Sequence, residues 1–414
     1  MSSEPPIGHA TPRHRAPEPT TDGFDTSAWD LSVEPEVVVP APRSGRRASL
    51  EITPLVRAVL ENKASDLHLK PGSPPRVRIS GSLVNLREDP LDSAEVSDLV
   101  MPTMTRESAA LFDTNNEVDF AAVVAGVGRF RVNVYKTRGE VAAVLRHITD
   151  EPLTLEQLGM PEALAKLALE PRGLVLVTGP TGSGKTTTLA AMVDEINRAR
   201  PVHIITIEDP IEVAHHDKVA AISQREIGFD TRNFSTALRA AMRQDPDVIL
   251  IGEMRDTETV RAALAAAETG HLVMSTLHTT DAKETVNRVV DFFAEHEQRQ
   301  VRLSLAAALK GIVCQRLVPK ADGEGRIAVM EVAVADARIA EAVADPEKTD
   351  TIPDLVAGGS YLGMQSFDQD LCRLVLEGTV SLEEARLVAT RPHDLSVMLR
   401  RAGMSAAQAE VVAR

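Results

Sequence analysis

The feature that most constrains this chain is the stretch GPTGSGKT, which runs from Gly179 to Thr186. It follows the apolar run GLVLVT and precedes a helical pattern, so its glycines form a loop between a strand and a helix. Glycines let backbone N–H groups converge on phosphate oxygens, and the helix N-terminus adds the positive end of its dipole. In such a loop Lys185 would bind the β- and γ-phosphates of ATP, and the Thr186 hydroxyl would bind Mg²⁺. The alternative is a glycine turn with a solvated lysine.

The candidate nucleotide contacts extend through the whole loop into the first turn of the helix. ATP and Mg²⁺ are the cofactors that this pattern predicts. The candidate contacts are Gly179, Pro180, Thr181, Gly182, Ser183, Gly184, Lys185, Thr186 and Thr187.

Strand and helix patterns alternate on both sides of the loop. Apolar runs at residues 173–178, 202–208, 247–253 and 271–278 are separated by helical patterns, the first of which covers residues 185–199. Continuous apolar strands joined by helices predict a parallel sheet that is covered on both faces. Because ligands bind at the carboxyl ends of such strands, the residues that follow each run are candidate site residues.

Carboxylates follow two of these predicted strands. Glu253 ends DVILIGE, on a strand that we expect beside the strand of the glycine loop, and Glu208 and Asp209 end VHIITIED. At the sheet edge Glu253 could orient an attacking water or act through the metal shell. Glu208 and Asp209 suit Mg²⁺ or water. The alternatives are a helix cap, which fits Asp256 better than Glu253, and a surface turn for the other pair.

Two histidines and two arginines are further candidates. His271 and His278 bracket the strand HLVMSTL, and their spacing would point them to opposite faces, which is poor for one metal ion. One could sense the γ-phosphate while the other faces a domain or subunit contact, or both could be structural. Arg131 and Arg146 lie on neighbouring strands of a predicted meander and could stabilise phosphate charge from another domain or subunit. A solvated sheet face is the alternative for both.

The pattern of composition divides the chain into four parts. Residues 1–48 are rich in Pro, Ser and Arg and are predicted to be a disordered tail. Residues 49–150 contain a helical pattern and short alternating runs, which predict a small α+β domain with an antiparallel sheet. Residues 151–336 hold the glycine loop and the predicted parallel sheet, and residues 337–414 are predicted to be a C-terminal helical part.

Composition disfavours several classes of protein. A net charge of −15 and an aromatic content of 3% argue against nucleic acid as a partner. The two cysteines, Cys314 and Cys372, are far apart and predict neither a disulfide framework nor a thiolate zinc site. No apolar stretch approaches the length of about 18 residues that a membrane span needs. We therefore expect a soluble cytoplasmic protein.

The sequence resembles the secretion ATPase (GspE) superfamily, and within it the PilT group of type IV pilus retraction ATPases. The resemblance covers about residues 50–400 and rests on the ordered phrases GPTGSGKTTT, TIEDPIE, GEMRDTETVRAALAAAETGHLV and STLHTTDAKETVNRVVDFF. The phrases ASDLHLKPGSPPRVRISG and GSYLGMQSFDQDL match as well. Their joint occurrence makes the resemblance specific.

This resemblance implies both a fold and a function. The expected subunit pairs a PAS-like N-terminal domain with a RecA-like P-loop ATPase domain, with ATP between them, and has a short C-terminal helical part. The expected assembly is a homohexamer that couples ATP hydrolysis to pilus retraction and twitching motility. It would act in the cytoplasm, peripherally associated with the inner face of the cell membrane. Its expected partners are an inner-membrane pilus platform protein and, as one option, a paralogous pilus motor.

The resemblance also implies roles for individual residues. By position, Lys185 and Thr186 match the Walker A box, Glu253 matches the catalytic glutamate of the Walker B box, and Glu208 falls in the Asp box. The residues predicted for catalysis are Glu253, Lys185, Glu208 and His278. Those added to the predicted nucleotide contacts are Arg131 and Arg146, which match arginines that reach the phosphates, and His271 of the His box. Thr186, Glu208 and Asp209 are the predicted Mg²⁺ ligands.

Two phrases bear on the branch of the superfamily. CQRLVPKADGEGRIAVMEV has a single cysteine and lacks the paired CxxC zinc element of assembly-type relatives, which favours the retraction branch. ARIAEAVADPEK departs from the AIR…IRE phrase of retraction ATPases and leaves open an accessory motor of the PilU type. Pilus assembly, type II secretion and, in a different class, a RecA-like nucleic-acid motor are the further alternatives.

Overall fold

The computed structural model describes residues 51–79, 81–149 and 151–405. The predicted tail, residues 1–48, lies outside the described residues, as do residues 406–414 of the predicted C-terminal part. The described chain contains one six-stranded sheet and one seven-stranded sheet. The predicted fold class is confirmed, with an antiparallel α+β unit before a larger α/β unit.

The smaller sheet is antiparallel and has the strand order β3-β2-β1-β6-β5-β4. Alternate side chains of β4 are buried, as expected for a sheet with one covered face. Its strands are β1 (Asp66–Leu69), β2 (Arg76–Ile79), β3 (Ser82–Asn85), β4 (Glu117–Val124), β5 (Gly128–Thr137) and β6 (Glu140–Ile148). The associated helices are α1 (Thr53–Glu61), α2 (Ser93–Val100) and α3 (Arg106–Asn115).

The larger sheet has the order β13-β12-β7-β11-β10-β8-β9, and only β13 runs antiparallel to its neighbour. Its strands are β7 (Gly173–Thr178), β8 (His203–Glu208), β9 (Ala221–Glu226), β10 (Val248–Ile251), β11 (Leu272–Leu277), β12 (Leu309–Pro319) and β13 (Arg326–Val334). Its helices are α4 (Glu162–Ala168), α5 (Lys185–Ala199), α6 (Phe234–Ala241), α7 (Thr257–Glu268), α8 (Ala282–Asp291) and α9 (Glu295–Ala308).

The strand predictions hold for the parallel core but not for the edges of this sheet. Strands β7, β8, β10 and β11 lie where the apolar runs predicted them, and α5 has the predicted bounds. The sequence did not predict β9, β12 or β13. The reason is plainest for β9, which is a polar edge strand with mostly incomplete burial and therefore lacks a continuous apolar run.

The C-terminal helices pack on the larger sheet and share its hydrophobic core. Leu371 and Leu395 are fully buried in one cluster with Ile312 and Val329 of the sheet. The Met330 amide also donates to the Asp370 carboxylate at 2.9 Å. These helices are α10 (Ala337–Ala344), α11 (Ile352–Ala357), α12 (Phe367–Leu376), α13 (Leu382–Val388) and α14 (Pro392–Arg401).

Polar contacts join the two sheets. The Ala214 amide donates to the Thr149 carbonyl at 2.9 Å, and Arg129 Nη2 lies 3.7 Å from Glu226 Oε2. The first contact attaches the segment after β8 to the end of the smaller sheet. Among the described residues, the structure has no helix that is both long and apolar enough to span a bilayer.

Candidate active site

The glycine loop lies at the carboxyl edge of the larger sheet, between β7 and α5. Gly179, Gly182 and Gly184 all have positive φ angles, of 143°, 79° and 89°. A Cβ at Gly179 would come within 2.3 Å of the Gln315 carbonyl oxygen, so the backbone there is too close to β12 for any side chain. The loop thus has the backbone freedom that the sequence predicted, and α5 begins at Lys185 as expected.

Lys185 lies inside the curve of the loop and is 9% exposed. Its Nζ donates to the carbonyl oxygens of Gly179 at 2.8 Å and Pro180 at 3.1 Å. Burial lowers the pKa of Lys185, and the negative charges of Glu253 and Glu212 partly offset this effect. The Lys185 ammonium therefore donates to two neutral carbonyl oxygens, and the charged oxygens of a phosphate, which are stronger acceptors, can replace them.

Glu253 lies just after β10 and is bound from both sides. Its Oε2 is 2.7 Å from Arg255 Nη2, and its Oε1 is 3.0 Å from His278 Nε2. Burial alone would raise the pKa of Glu253, but the hydrogen bond and charge of Arg255, with the contribution of His278, hold it below its ordinary value. The carboxylate is thus charged at neutral pH and fixed in orientation.

Two details around Glu253 bear on the sequence predictions. The acidic cap of α7 is Asp256, whose Oδ1 accepts from the Thr259 amide at 2.8 Å, so Glu253 is not needed as the cap. The expectation that β10 lies beside β7 is wrong, because β11 separates the two strands. Glu253 nevertheless reaches the cleft, since the carboxyl ends of all these parallel strands share one edge.

Glu208 ends β8 as a nearly buried carboxyl group that is 8% exposed. Its Oε1 accepts from Thr206 Oγ1 at 2.7 Å and from Gln224 Nε2 at 3.0 Å. Burial raises the pKa of Glu208 to about 7, although these hydrogen bonds oppose the rise. Near neutral pH the group is therefore poised between its acid and its carboxylate.

The remaining predicted metal ligands also line the cleft. Asp209 is exposed and lies 3.9 Å from Arg255, and Thr186 is half-buried in the first turn of α5. Within the described ranges no group of three or more His, Cys, Asp or Glu side chains is arranged to hold a metal ion. Mg²⁺ that is bound together with a nucleotide usually takes phosphate oxygens, water and one or two protein carboxylates as its ligands.

The two histidines lie at opposite ends of β11. His278 follows the carboxyl end, lines the cleft and contacts Glu253. His271 precedes the amino end, where its Nδ1 lies 3.0 Å from the Ala266 carbonyl. The length of the strand, about 20 Å, separates the two rings. Of the two histidines, His278 lines the cleft of this chain and His271 does not, so the predicted contact between His271 and a nucleotide stays a prediction.

The two predicted arginines are register partners on β5 and β6, but only one of them lines the cleft. Arg146 reaches it, and its Nε donates to the buried Asp66 carboxylate at 2.8 Å. Arg131 does not line the cleft, and its Nε lies 3.4 Å from Asp119 on β4. Within this chain Arg131 therefore pairs with an acidic residue of its own sheet, and its predicted contact with phosphate stays a prediction.

The cleft between the sheets has a volume of about 630 Å³, and its lining includes Arg146, Glu208, Asp209, Glu253 and His278. Of the predicted loop contacts, Gly179, Pro180 and Ser183 are outside the lining, which includes Thr181, Gly182, Gly184, Lys185, Thr186 and Thr187. A larger groove of about 820 Å³ lies on the smaller sheet, and its lining, within the described chain, includes no lysine or arginine for phosphate. The smaller cleft is therefore the candidate nucleotide site.

Several cleft residues were missed by reasoning from the sequence. Arg255 was missed although it follows Glu253 in GEMRD, where a basic residue beside a strand-end carboxylate could have indicated it. Arg326 and Leu317 come from strands that the sequence did not predict. His215 belongs to the segment between β8 and β9, whose path depends on its contact with the smaller sheet.

Comparison with known proteins identifies the family. Residues 47–386 match the family model described as "Type II/IV secretion system protein". This chain belongs to that family. The "Type IV pilus retractation ATPase PilT" of Pseudomonas aeruginosa is 45% identical to this secretion ATPase over 83% of the chain and 100% of its own length. The "Type IV pilus ATPase PilU" of the same organism is 40% identical, over 85% of this chain and 92% of its own length.

A solved structure of the family has the same fold. The crystal structure titled "Pilus Retraction Motor PilT and Bound ADP" superposes with a TM-score of 0.77 at 43% identity. The match covers 83% of this secretion ATPase and 98% of that chain. The resemblance inferred from the ordered phrases is thus confirmed.

Proposed function

We propose that this secretion ATPase is a Mg²⁺-dependent ATP hydrolase that works as a homohexameric motor for type IV pilus retraction. One observation carries the proposal: Lys185 of the glycine loop and the fixed carboxylate of Glu253 face the same cleft. The chain that builds this cleft matches the pilus retraction ATPase of P. aeruginosa over that protein's whole length.

The roles of the cleft residues follow from their chemistry. The backbone N–H groups of the glycine loop and Lys185 Nζ bind the phosphates, and Lys185 exchanges its two carbonyl contacts for phosphate oxygens. Glu253 orients the attacking water and accepts its proton as a general base. Arg255 and His278 hold the two carboxylate oxygens, so the base does not need to reorganise during the reaction.

The donor set fits a nucleotide-bound Mg²⁺ ion. Thr186 would supply a hydroxyl, and Glu208 and Asp209 would supply carboxylate oxygens directly or through water. When bound, the ion neutralises negative charge on the phosphates. Glu208 must lose its proton to serve as a ligand, and the nearby positive charge of the ion would favour that loss.

Arg146 supports a coupling between the nucleotide and the smaller sheet. It is the cationic side chain that this sheet contributes to the cleft lining in the described chain, and it is already oriented by Asp66. A triphosphate would attract its guanidinium and draw the two sheets together, and loss of the γ-phosphate would remove that differential contact. In a ring, this cycle of closing and opening would act on a central partner.

The proposed partners and location are those that the resemblance to pilus retraction ATPases implies. A pilus retraction motor would contact an inner-membrane platform protein from the cytoplasmic side of the membrane. The other candidate is an accessory role beside a second motor. The observation that supports this candidate is the 40% identity to PilU over most of both chains. The higher identity to PilT places the retraction motor first.

Glu253→Gln tests the proposed chemistry. The amide keeps the shape of the side chain but cannot accept a proton, so we expect ATP to bind with nearly parental affinity while turnover falls by about a hundredfold or more. Glu258→Gln is the control, because Glu258 is exposed on α7 and pairs with Arg239 outside the cleft. Hydrolysis by Glu253→Gln at the parental rate would refute the assignment.

The cellular role is tested in a strain that lacks the gene. Such a strain should remain heavily piliated but immobile, and the parental gene should restore movement while the Glu253→Gln gene should not. A strain without pili would indicate an assembly motor instead. ATPase activity stimulated by DNA would favour the nucleic-acid motor.

A further inference from the structure

Gln315 is a buried side chain of β12 that contacts the glycine loop from behind. It is 1% exposed and is not among the residues that line the cleft. Its Nε2 donates to the Ser183 carbonyl oxygen, and its Oε1 accepts from Thr188 Oγ1 at 2.8 Å. One amide group therefore joins the end of the loop to the first turns of α5.

The chemistry of these partners determines which way the amide faces. A carbonyl oxygen can only accept, so Nε2 must face Ser183, and Oε1 must then face the Thr188 hydroxyl, which can donate. The close packing of β12 against the loop supports this arrangement. A Cβ at Gly184 would lie 3.0 Å from Gln315 Nε2, so the glycine at that position leaves room for the amide.

The planar peptide bond links this contact to phosphate binding. In a trans peptide the C=O of one residue and the N–H of the next point in opposite directions. Because Gln315 holds the Ser183 carbonyl toward β12, the N–H of Gly184 in the same peptide unit must point away from β12. We propose that Gln315 is a positioning residue that turns the Gly184 N–H toward the phosphates; this rests on the proposed nucleotide function of the cleft.

The loop needs such a restraint because its glycines permit the opposite orientation. Gly184 has a φ of 89°, in the region that glycine enters without steric cost, and Gly182 is similar at 79°. A peptide rotated by half a turn would direct the Ser183 carbonyl oxygen at the phosphates. That would exchange a charge-assisted hydrogen bond for repulsion between two oxygens. Gln315 prevents this rotation without touching the nucleotide.

Gln315→Met and Gln315→Glu test the proposal by nucleotide binding and turnover. Methionine has similar length but donates no hydrogen bond, and a glutamate carboxylate can accept from Thr188 but cannot donate to Ser183. At alkaline pH, where the introduced carboxyl group is ionised, we expect for both variants that the Kd for ADP and the KM for ATP rise about ten- to hundredfold, the value of one charge-assisted hydrogen bond. The kcat at saturating ATP should fall less than KM rises, because the contact is made before and during the reaction.

The pH dependence of Gln315→Glu separates positioning from a loss of packing. A protonated glutamate regains a donor, so its affinity for ADP, measured relative to the parental protein, should recover as the pH falls. Gln315→Met should show no such recovery. Val332→Ala on β13 is the matched control: it removes buried apolar volume from the same hairpin and should lower the thermal midpoint without a comparable change in ADP affinity.

The ADP affinities of the parental protein and of the variants distinguish failure of the Gln315 proposal from failure of the proposed function. If the parental protein binds ADP and the two Gln315 variants bind it equally well, positioning by Gln315 is refuted while the proposed function stands. If Val332→Ala weakens ADP binding as much as Gln315→Met at a similar thermal midpoint, the effect is one of stability and the inference also fails. If the parental protein binds no nucleotide, the proposed function fails, and this inference fails with it.

Discussion

The substitution Glu208→Gln tests whether burial keeps a proton on this carboxyl group in the folded protein. Glu208 is 8% exposed, and Oε1 accepts from Thr206 and Gln224. Glutamine retains an oxygen for these two donors and carries no charge. The variant therefore removes the titration of the group and preserves most of its local contacts.

The size and sign of the effect follow from the pKa. Burial raises the pKa of Glu208 from 4.5 to about 7, so the folded state holds the proton more tightly than the unfolded state. The resulting stabilisation is complete below the unfolded pKa and is lost as the pH rises through the folded pKa. Between about pH 5 and about pH 8 this loss amounts to about 2 to 3 kcal/mol, since one pKa unit corresponds to about 1.4 kcal/mol.

Urea unfolding of the parental protein and of Glu208→Gln, at both pH values and without nucleotide, measures this quantity. Relative to the parental protein, the variant should gain about 2 to 3 kcal/mol of unfolding free energy on going from the acidic to the alkaline condition. Any constant cost of the amide cancels in this difference. Other titrating groups are common to both proteins and cancel as well, provided that they are not coupled to Glu208.

Glu331→Gln is a matched control at a second buried carboxyl group. Burial also raises the pKa of Glu331 to about 7, and its Oε1 accepts from the Ala282 amide at 2.8 Å, outside the cleft. It should show a similar dependence on pH but leave ATP turnover unchanged. A free-energy difference between Glu208→Gln and the parental protein that is the same at both pH values would refute the reasoning, because Glu208 would then be ionised throughout.

The remaining predictions compare two pairs of candidate residues, and in each pair only one residue lines the cleft. His278→Ala should lower kcat about tenfold or more, because Glu253 loses a partner. His271→Ala should leave ATP turnover close to the parental rate. Equal rates for the two variants would contradict the conclusion that His278 is the histidine that acts in the cleft. Arg146→Ala should raise the KM for ATP about tenfold, and Arg131→Ala should raise it much less, as measured by steady-state hydrolysis in the assembled protein. A larger effect at Arg131 would instead indicate that this arginine acts on a neighbouring subunit.

The parts of the site that could be predicted from sequence are those that local chemistry specifies. A strand, a glycine loop and a helix beginning at Lys185 are encoded within one short stretch, and the structure gives α5 the predicted bounds. Glu208 and Glu253 were found in the same way, because each follows an apolar run that ends at the carboxyl edge of a parallel sheet. These predictions needed only the direction of each strand.

Strand order and the positions of side chains across the sheets needed the folded chain. No local pattern indicates that β11 lies between β7 and β10, or that polar β9 extends the sheet beside β8. The spacing of the two histidines was clear from the sequence. Which of them lies beside Glu253 could not be predicted, because this depends on which end of β11 lies at the cleft.

By itself, the sequence determined the family, the alternation of strands and helices, and the residues that carry charge at the strand ends. The tertiary structure alone decided that Arg146 rather than Arg131 enters the cleft, that Glu208 is buried enough to hold a proton near neutral pH, and that Gln315 supports the loop from behind. The physical reason is that backbone periodicity and loop chemistry act between near neighbours in the chain. Burial, pKa and contacts across strands arise from groups that folding brings together from distant positions.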